Sequence, residues 1–357
     1  MTEVARSGHF VRLWRLLALL GGGLIVIALI TQWIGSPILT RFVTVMYIDL
    51  ILVLGLQMYM GNSGIVAFAH IGFMGVGAYA SALFSMSPVM KSMALPDLYP
   101  ILADVQIPYF WAVLVGGGVS AAVAAVVGWP LMRLSDFAAV ITQFALLVIM
   151  HTIFVHWSAI TNGPRTLFGL DRHTYLFGAL AWALAMLAVA YWFKESKIGL
   201  QLRASRDERV AAAGVGINIV LVRWTGFVVS AFLAGVAGAL WAHFILSFQP
   251  SAFYLRETFL IMGMLVIGGP GTITGALVGT ISVTVAFEGL RAFENWINIH
   301  QVFPFPISGL TDVTLSIALI LMLIYRPGGI VERLELTGWR GPWLRRTSEE
   351  APAEGNP

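Results

Sequence analysis

Ten apolar runs succeed one another between residues 16 and 325 of this 357-residue chain, most of them close to 20 residues long. No other feature constrains the fold as much. About 20 helical residues cross the ~30 Å hydrocarbon core of a bilayer. Within lipid, only helices and closed barrels satisfy every backbone polar group. The runs cover residues 16–34, 38–60, 64–85, 109–131, 137–157, 175–193, 221–243, 259–267, 273–290 and 310–325. Stop signals separate them: Gly35, Ser36 and Pro37 after the first, Gly61 and Asn62 after the second, Arg326 and Pro327 after the last. Only 11% of the residues are charged, against about 25% in soluble domains. The expected fold is all-α, a polytopic membrane protein of about ten transmembrane helices. The eighth run is short and ends in glycine, so it reads as a span or as a re-entrant element. The first run is longer than a signal-peptide core and lacks a small-x-small cleavage site before Pro37, so it reads as a retained span.

Orientation follows from Lys and Arg, which concentrate in cytoplasmic loops. With the N-terminus inside and ten crossings, 15 of the 21 basic residues fall inside. Arg41, Lys91, Arg165, Arg172, Arg256 and Arg291 fall outside. Both termini are then cytoplasmic. The chain divides into a cytoplasmic segment 1–15, a transmembrane domain 16–330 and a charged tail 331–357 whose Pro, Glu and Gly content reads as disordered. The net charge of +3 is no nucleic-acid signal, because the basic residues lie between apolar runs and form no stripe with interleaved aromatics. The chain has no cysteine, hence no disulfide and no thiolate site. Neither a Walker A sequence nor HExxH nor GxSxG occurs. No enzyme activity, cofactor or metal is expected.

Three features stand out against this background. Residues 196–218, SKIGLQLRASRDERVAAAGVGIN, are the longest polar stretch between two apolar ones. Lys197, Arg203, Arg206 and Arg209 sit there among Asp207 and Glu208, followed by Ala211, Ala212, Ala213, Gly214 and Gly216. The stretch reads as a small charged helix suited to docking in the cytoplasm, or as an ordinary positive loop. Second come two glycine clusters: Gly61, Asn62 and Gly64 leading to Gly72, Gly75 and Gly77, and Gly268, Gly269, Pro270 and Gly271 leading to Gly275 and Gly279. Small residues let helices approach closely in lipid; the other reading is a broken helix beside a translocation path. Third are ionisable residues within runs, which are costly there. Asp49 and His70 lie deep, while His151, His156, His243, Glu288 and Asp312 lie nearer the ends. They read as structural hydrogen-bonding groups, or, for Asp49 and Glu288, as coupling sites of an ion-gradient carrier. A structural membrane scaffold is the third class of reading.

These stretches together resemble one family. Residues 54–84 are similar to the glycine-rich segment of branched-chain amino-acid ABC transporter permeases, with Gly55, Leu56, Gly61, Gly64, His70, Phe73, Gly75, Gly77, Ala78 and Tyr79 matching. Residues 198–242 resemble that family's arginine-rich segment and the helix after it, residues 264–280 its second glycine cluster, and Arg326, Pro327 and Gly329 its closing R-P-x-G. The resemblance implies the permease subunit of a binding-protein-dependent importer in the bacterial inner membrane. It implies pairing with a second related permease, two cytoplasmic ATPase subunits that hydrolyse the ATP, and a periplasmic solute-binding protein. It places ATPase docking on Arg203, Arg206, Glu208, Arg209, Ala211, Ala212, Gly214 and Gly216. The path or its packing falls to Gly61, Asn62, Gly64, His70, Gly75, Gly77, Gly268, Gly269, Gly271 and Gly275. In this picture Gly214 and Gly216 end the docking helix. Two positions depart from the family: Ala213 stands where a Glu is common, and residues 142–147 lack the acid usual in the fifth span. Urea, amide and aromatic-acid importers use close relatives, so one of those solutes is the alternative.

Overall fold

A computed structural model describes residues 17–300, 309–326 and 328–331. Each of the ten apolar runs carries a helix, and no strand occurs among the described residues; one antiparallel bridge joins Leu167 and Phe248. Twelve helices build the bundle and the two ends that bear its polar residues: α1 (Gly22–Ile34), α2 (Pro37–Leu56), α3 (His70–Ser85), α4 (Tyr109–Leu131), α5 (Asp136–His156), α6 (Leu176–Glu195), α7 (Lys197–Asp207), α8 (Arg209–Gly214), α9 (Ile219–Ile245), α10 (Leu255–Gly268), α11 (Ile273–Ile299) and α12 (Leu310–Tyr325). Among the described residues, seven helical stretches are long and apolar enough to cross a membrane. The runs at α1, α3 and α12 form shorter apolar helices. The predicted segment 1–15 and tail 331–357 lie outside the described residues, Val331 aside.

Helix α9 is the axis of the bundle and packs along α2, α3 and α4. Small residues make this possible. A Cβ on Gly77 of α3 would lie 2.2 Å from the Gly235 carbonyl oxygen of α9, and one on Gly116 of α4 would lie 2.7 Å from the Gly77 oxygen. Backbone therefore meets backbone, which is how helices gain van der Waals contact when lipid supplies no hydrophobic drive. Hydrogen bonds lock the same seam: Ser120 Oγ donates to the Phe73 carbonyl at 2.8 Å, and His70 Nε2 lies 2.9 Å from Ser230 Oγ. Helices α10 and α11 pair with each other and lean on α2. Their contact is again glycine on glycine, with a Cβ on Gly268 falling 1.9 Å from the Gly275 oxygen.

Two expectations need correction. The third run reads as helical from residue 64, yet α3 starts only at His70. Residues 64–69 are non-helical, and Ile65, Ala67 and Ala69 among them are buried. Irregular backbone at membrane depth survives only where protein or a cavity covers it, and here the bundle does. Helix α2 runs into this segment through a π-helical turn, Gln57–Gly61. The second correction concerns residues 196–218, which form two helices and not one. The chain leaves α7 at Glu208, whose extended backbone (φ −150°) starts α8 afresh.

Candidate functional site

One end of the bundle gathers the polar stretch 196–218 and the turns that open both glycine clusters. Helix α7 begins at Ser196, whose hydroxyl accepts from the Gly199 amide at 3.2 Å as an N-cap. Its Arg203 donates to the Lys194 carbonyl at 2.9 Å and lies 3.9 Å from Glu195. One turn on, Arg206 Nη1 donates to the Gly61 carbonyl at 2.6 Å. That oxygen closes the π-helical turn just before the broken entry to α3. A Cβ on Gly61 would in turn lie 2.2 Å from the Pro270 carbonyl oxygen, and one on Gly64 would lie 3.0 Å from Arg206 Cγ. The polar stretch and both glycine clusters thus meet at one point, although more than 200 residues separate Gly61 from Pro270 in the chain.

Helix α8 faces the other way. Glu208 caps it, accepting from the Val210 amide at 3.4 Å. Arg209 Nη1 lies 3.5 Å from Asp136 at the start of α5, and the same carboxylate takes a 2.6 Å hydrogen bond from Arg223 Nη1 on α9. Arg223 is almost wholly buried while Asp136 is exposed. Ala212 is buried beneath the helix; Ala211, Ala213 and Gly214 are exposed. Val210 and Val215 are 79% and 78% exposed. Two apolar side chains thus stand clear of the bundle beside the charged α7, at positions the sequence does not single out.

The glycines expected to end the helix separate. Gly216 has φ +85°, and its amide bonds the Ala213 carbonyl while the Ile217 amide bonds that of Ala212. This is a Schellman ending, which needs the left-handed conformation at that residue. Gly214 is the last helical residue with open space around it and turns nothing.

The residues assigned to path or packing also separate. His70 is buried against Ser230 and ringed by Tyr59, Phe73 and Phe227. Gly75 faces Phe154 and Phe253, and Gly77 faces Gly235. These three are core. Asn62 holds the end of α2 by donating to the Met58 carbonyl at 2.9 Å. Gly268 and Gly275 pack against each other, Gly269 (φ +115°) carries the turn between α10 and α11, and Gly271 has open space. Beside them the chain returns from α12: the Ile330 amide bonds the Ile267 carbonyl and the Val331 amide that of Gly268. Phe68, in the broken entry, meets Phe144 of α5 and Phe259 of α10 edge to face, with ring centroids 5.6 and 6.3 Å away. No group of three or more metal-ligating side chains occurs among the described residues.

The opposite end carries Asp49 and several of the ionisable residues nearer the run ends, among them His243, Glu288 and Asp312, whereas His70 stays in the core. His243 Nε2 lies 2.8 Å from Ser85 Oγ, and Tyr109 OH 3.0 Å from Thr174 Oγ1. Lys91 is buried in the loop after α3, where its ammonium donates to the Leu102 and Val105 carbonyls, the first at 2.8 Å. Desolvation lowers its pKa, partly offset by the Asp104 carboxylate. Arg256 is held by Asp312 at 3.1 Å and Glu257 at 2.9 Å. A cavity of about 400 Å³ opens here among α2, α9, α10, α11 and α12, with Asp49 and Glu288 in its wall.

Comparison with known proteins agrees with this architecture. A family profile described as "Branched-chain amino acid transport system / permease component" matches residues 38–325. The high-affinity branched-chain amino acid transport system permease protein LivM of Salmonella typhimurium is 26% identical, the alignment covering 93% of this chain and 77% of the relative. The LivH permease protein of Escherichia coli K12 is 26% identical over 80% of this chain and 92% of its own length. The nucleoside ABC transporter permease protein NupC of Lactococcus lactis is 42% identical, over only 20% of this chain. The family match runs from the start of α2 to the end of α12 and includes the broken entry, the paired polar helices and both glycine turns. The chain therefore belongs to the branched-chain amino acid transport system permease family and is a permease subunit of an ATP-binding-cassette importer, a multi-pass protein of the inner membrane.

Proposed function

We propose that this permease passes a small apolar amino acid, that α7 and α8 form the docking element for a cytoplasmic ATPase subunit, and that a second related permease and a periplasmic binding protein complete the importer. The observation that carries the docking assignment is the pairing of exposed Val210 on α8 and Val215 at its C-terminal cap with the inward bond from Arg206 on α7 to Gly61. An apolar knob on a short helix seats in a groove of a partner. A push on that knob moves α7, and Arg206 passes the shift to the broken entry of α3. There Phe68, Phe144 and Phe259 form an aromatic constriction suited to opening and closing as a rigid-body gate. On this reading the end bearing α7 and α8 is cytoplasmic, in accord with the charge bias of the sequence. The solute class rests on the relatives named for branched-chain amino acids. ATP is hydrolysed on the partner chain.

Replacing Val210 and Val215 together by Asp tests the docking assignment. The expected result is loss of ATPase-subunit co-purification with normal membrane insertion. Undiminished co-purification would remove α8 from the interface. The triple change Arg206, Glu208 and Arg209 to Ala is expected to weaken association less, because all three side chains also bond within the chain.

A further inference from the structure

We infer that the cavity at the end opposite α7 and α8 is a receiving site for a free α-amino acid with an aliphatic side chain, its ammonium taken by Asp49; this rests on the amino-acid reading proposed above. The cavity has two chambers. The first, about 400 Å³, is lined by charges of both signs set among apolar side chains. The second, about 220 Å³, lies among α10, α11 and α12 and shares Arg256, Leu260, Phe287 and Asp312 with the first. Apart from Ser316 its other walls are apolar, among them Phe259, Val283, Leu315 and Leu319. Together they fall within the size range of small-molecule pockets, which pair an apolar body with a few placed polar groups.

Four of the eight charged residues of the first chamber are already engaged. Arg256 is taken by Asp312 and Glu257, and Glu294 accepts from the Gly309 and Thr311 amides at 3.0 Å each. Asp49, Glu288, Arg41 and Arg291 line the same chamber without a hydrogen bond or ion pair among the described residues. Asp49 is the deepest of these, twelve residues into α2 and therefore about 18 Å along it. An intramembrane acid facing a cavity marks a site by default. Arg41 sits two turns nearer the mouth of the same helix, about 12 Å away along the axis. An arginine side chain, an α-amino acid and an aspartate placed end to end span that gap. The free acids and bases thus suit a zwitterion, and the adjoining chamber suits its aliphatic side chain. Gly263 of α10 borders that chamber and packs closely on α12: a Cβ there would lie 2.7 Å from Leu319 Cδ1. A phosphatidylethanolamine headgroup shares the zwitterion chemistry, and displacement by leucine separates the two.

The test uses the complete importer reconstituted in lipid. Import of L-leucine with the binding protein present tests the functional reading; its absence overturns that reading and the site with it. Binding of tritiated L-leucine to the same complex without the binding protein tests the site. The expected result is displacement by unlabelled leucine, and poor displacement by 4-methylvalerate, which lacks the ammonium. Asp49→Asn is expected to weaken binding about tenfold, the loss of one charge-assisted hydrogen bond, with partial recovery in Asp49→Glu. Gly263→Leu is expected to shift preference from leucine towards alanine, a change of selectivity that a merely structural defect does not produce. Leucine import together with unaltered binding in Asp49→Asn and unaltered preference in Gly263→Leu would overturn the site. So would a co-purifying phosphatidylethanolamine that leucine does not displace.

Discussion

On the docking reading proposed above, motion of α7 reaches the broken entry through the hydrogen bond from Arg206 to the Gly61 carbonyl, and Arg206→Ala removes it. A hydrogen bond with one charged partner contributes about 1.5–3 kcal/mol. Arg206 remains accessible to solvent, so the lower end applies. About 1.5 kcal/mol is about a tenfold change in an equilibrium. The full factor shows only if the bond is made in one gate state and broken in the other, because a contact equal in both states shifts nothing. Arg206→Ala is therefore expected to lower the solute imported per ATP hydrolysed about tenfold while the ATPase subunits stay bound. Uptake and phosphate release, followed in the same proteoliposomes, give that ratio. Arg206→Lys is expected to fall between, keeping the charge but losing the planar fork. An unchanged ratio in Arg206→Ala would refute transmission through this bond. Loss of ATPase binding in that variant would instead make Arg206 part of the docking contact.

Other outcomes rest on the packing. Gly77→Leu must part α3 from α9, because even a Cβ falls 2.2 Å from a backbone oxygen; a loss of at least 1–3 kcal/mol, roughly the cost of overpacking, is expected as a lower thermal midpoint in detergent. Gly216→Ala, at φ +85°, is expected to lose about 1 kcal/mol through left-handed strain, whereas Gly214→Ala, in open space, is expected to be neutral or stabilising; equal effects would contradict the Schellman ending. The Arg223–Asp136 pair is expected to respond asymmetrically. Asp136→Ala strands a buried guanidinium and is expected to destabilise by up to about 3–5 kcal/mol, while Arg223→Met leaves only an exposed carboxylate and is expected to be milder. Thermal midpoints of the two variants check this order.

Local chemistry makes much of the molecule legible in advance. The run at residues 109–131 is α4 with the same bounds, because Pro108 and the polar residues after Leu131 bracket an uninterrupted apolar segment. Basic residues assigned to opposite sides do segregate in the bundle: Arg41, Arg256 and Arg291 line one cavity, while Arg206, Arg209 and Arg223 gather at the other end. Burying a charge in lipid is costly wherever the helix goes. The glycine clusters are visible in the chain, but their roles are not. Gly77 and Gly216 are the same residue type, yet one is defined by a neighbour 158 positions away and the other by its own backbone angle. The exposed Val210 and Val215 cannot be told from buried ones, because periodicity over six residues does not fix a face.

Sequence alone thus determined the class: an all-helical chain whose apolar runs match a bilayer, with a charged stretch and two glycine turns in an order that resembles one permease family. These are properties of composition and spacing, which helix length and hydrophobicity translate directly. Tertiary structure alone decided that the run from residue 64 stays non-helical as far as His70, that Arg206 turns inward to Gly61 while α8 turns outward, and that Asp49 shares a chamber with Glu288. The last two depend on which residues meet across more than a hundred positions of chain, and the first on the neighbours that cover it. Close backbone approach and the covering of irregular segments by neighbouring helices are set by that meeting, and no local pattern encodes it.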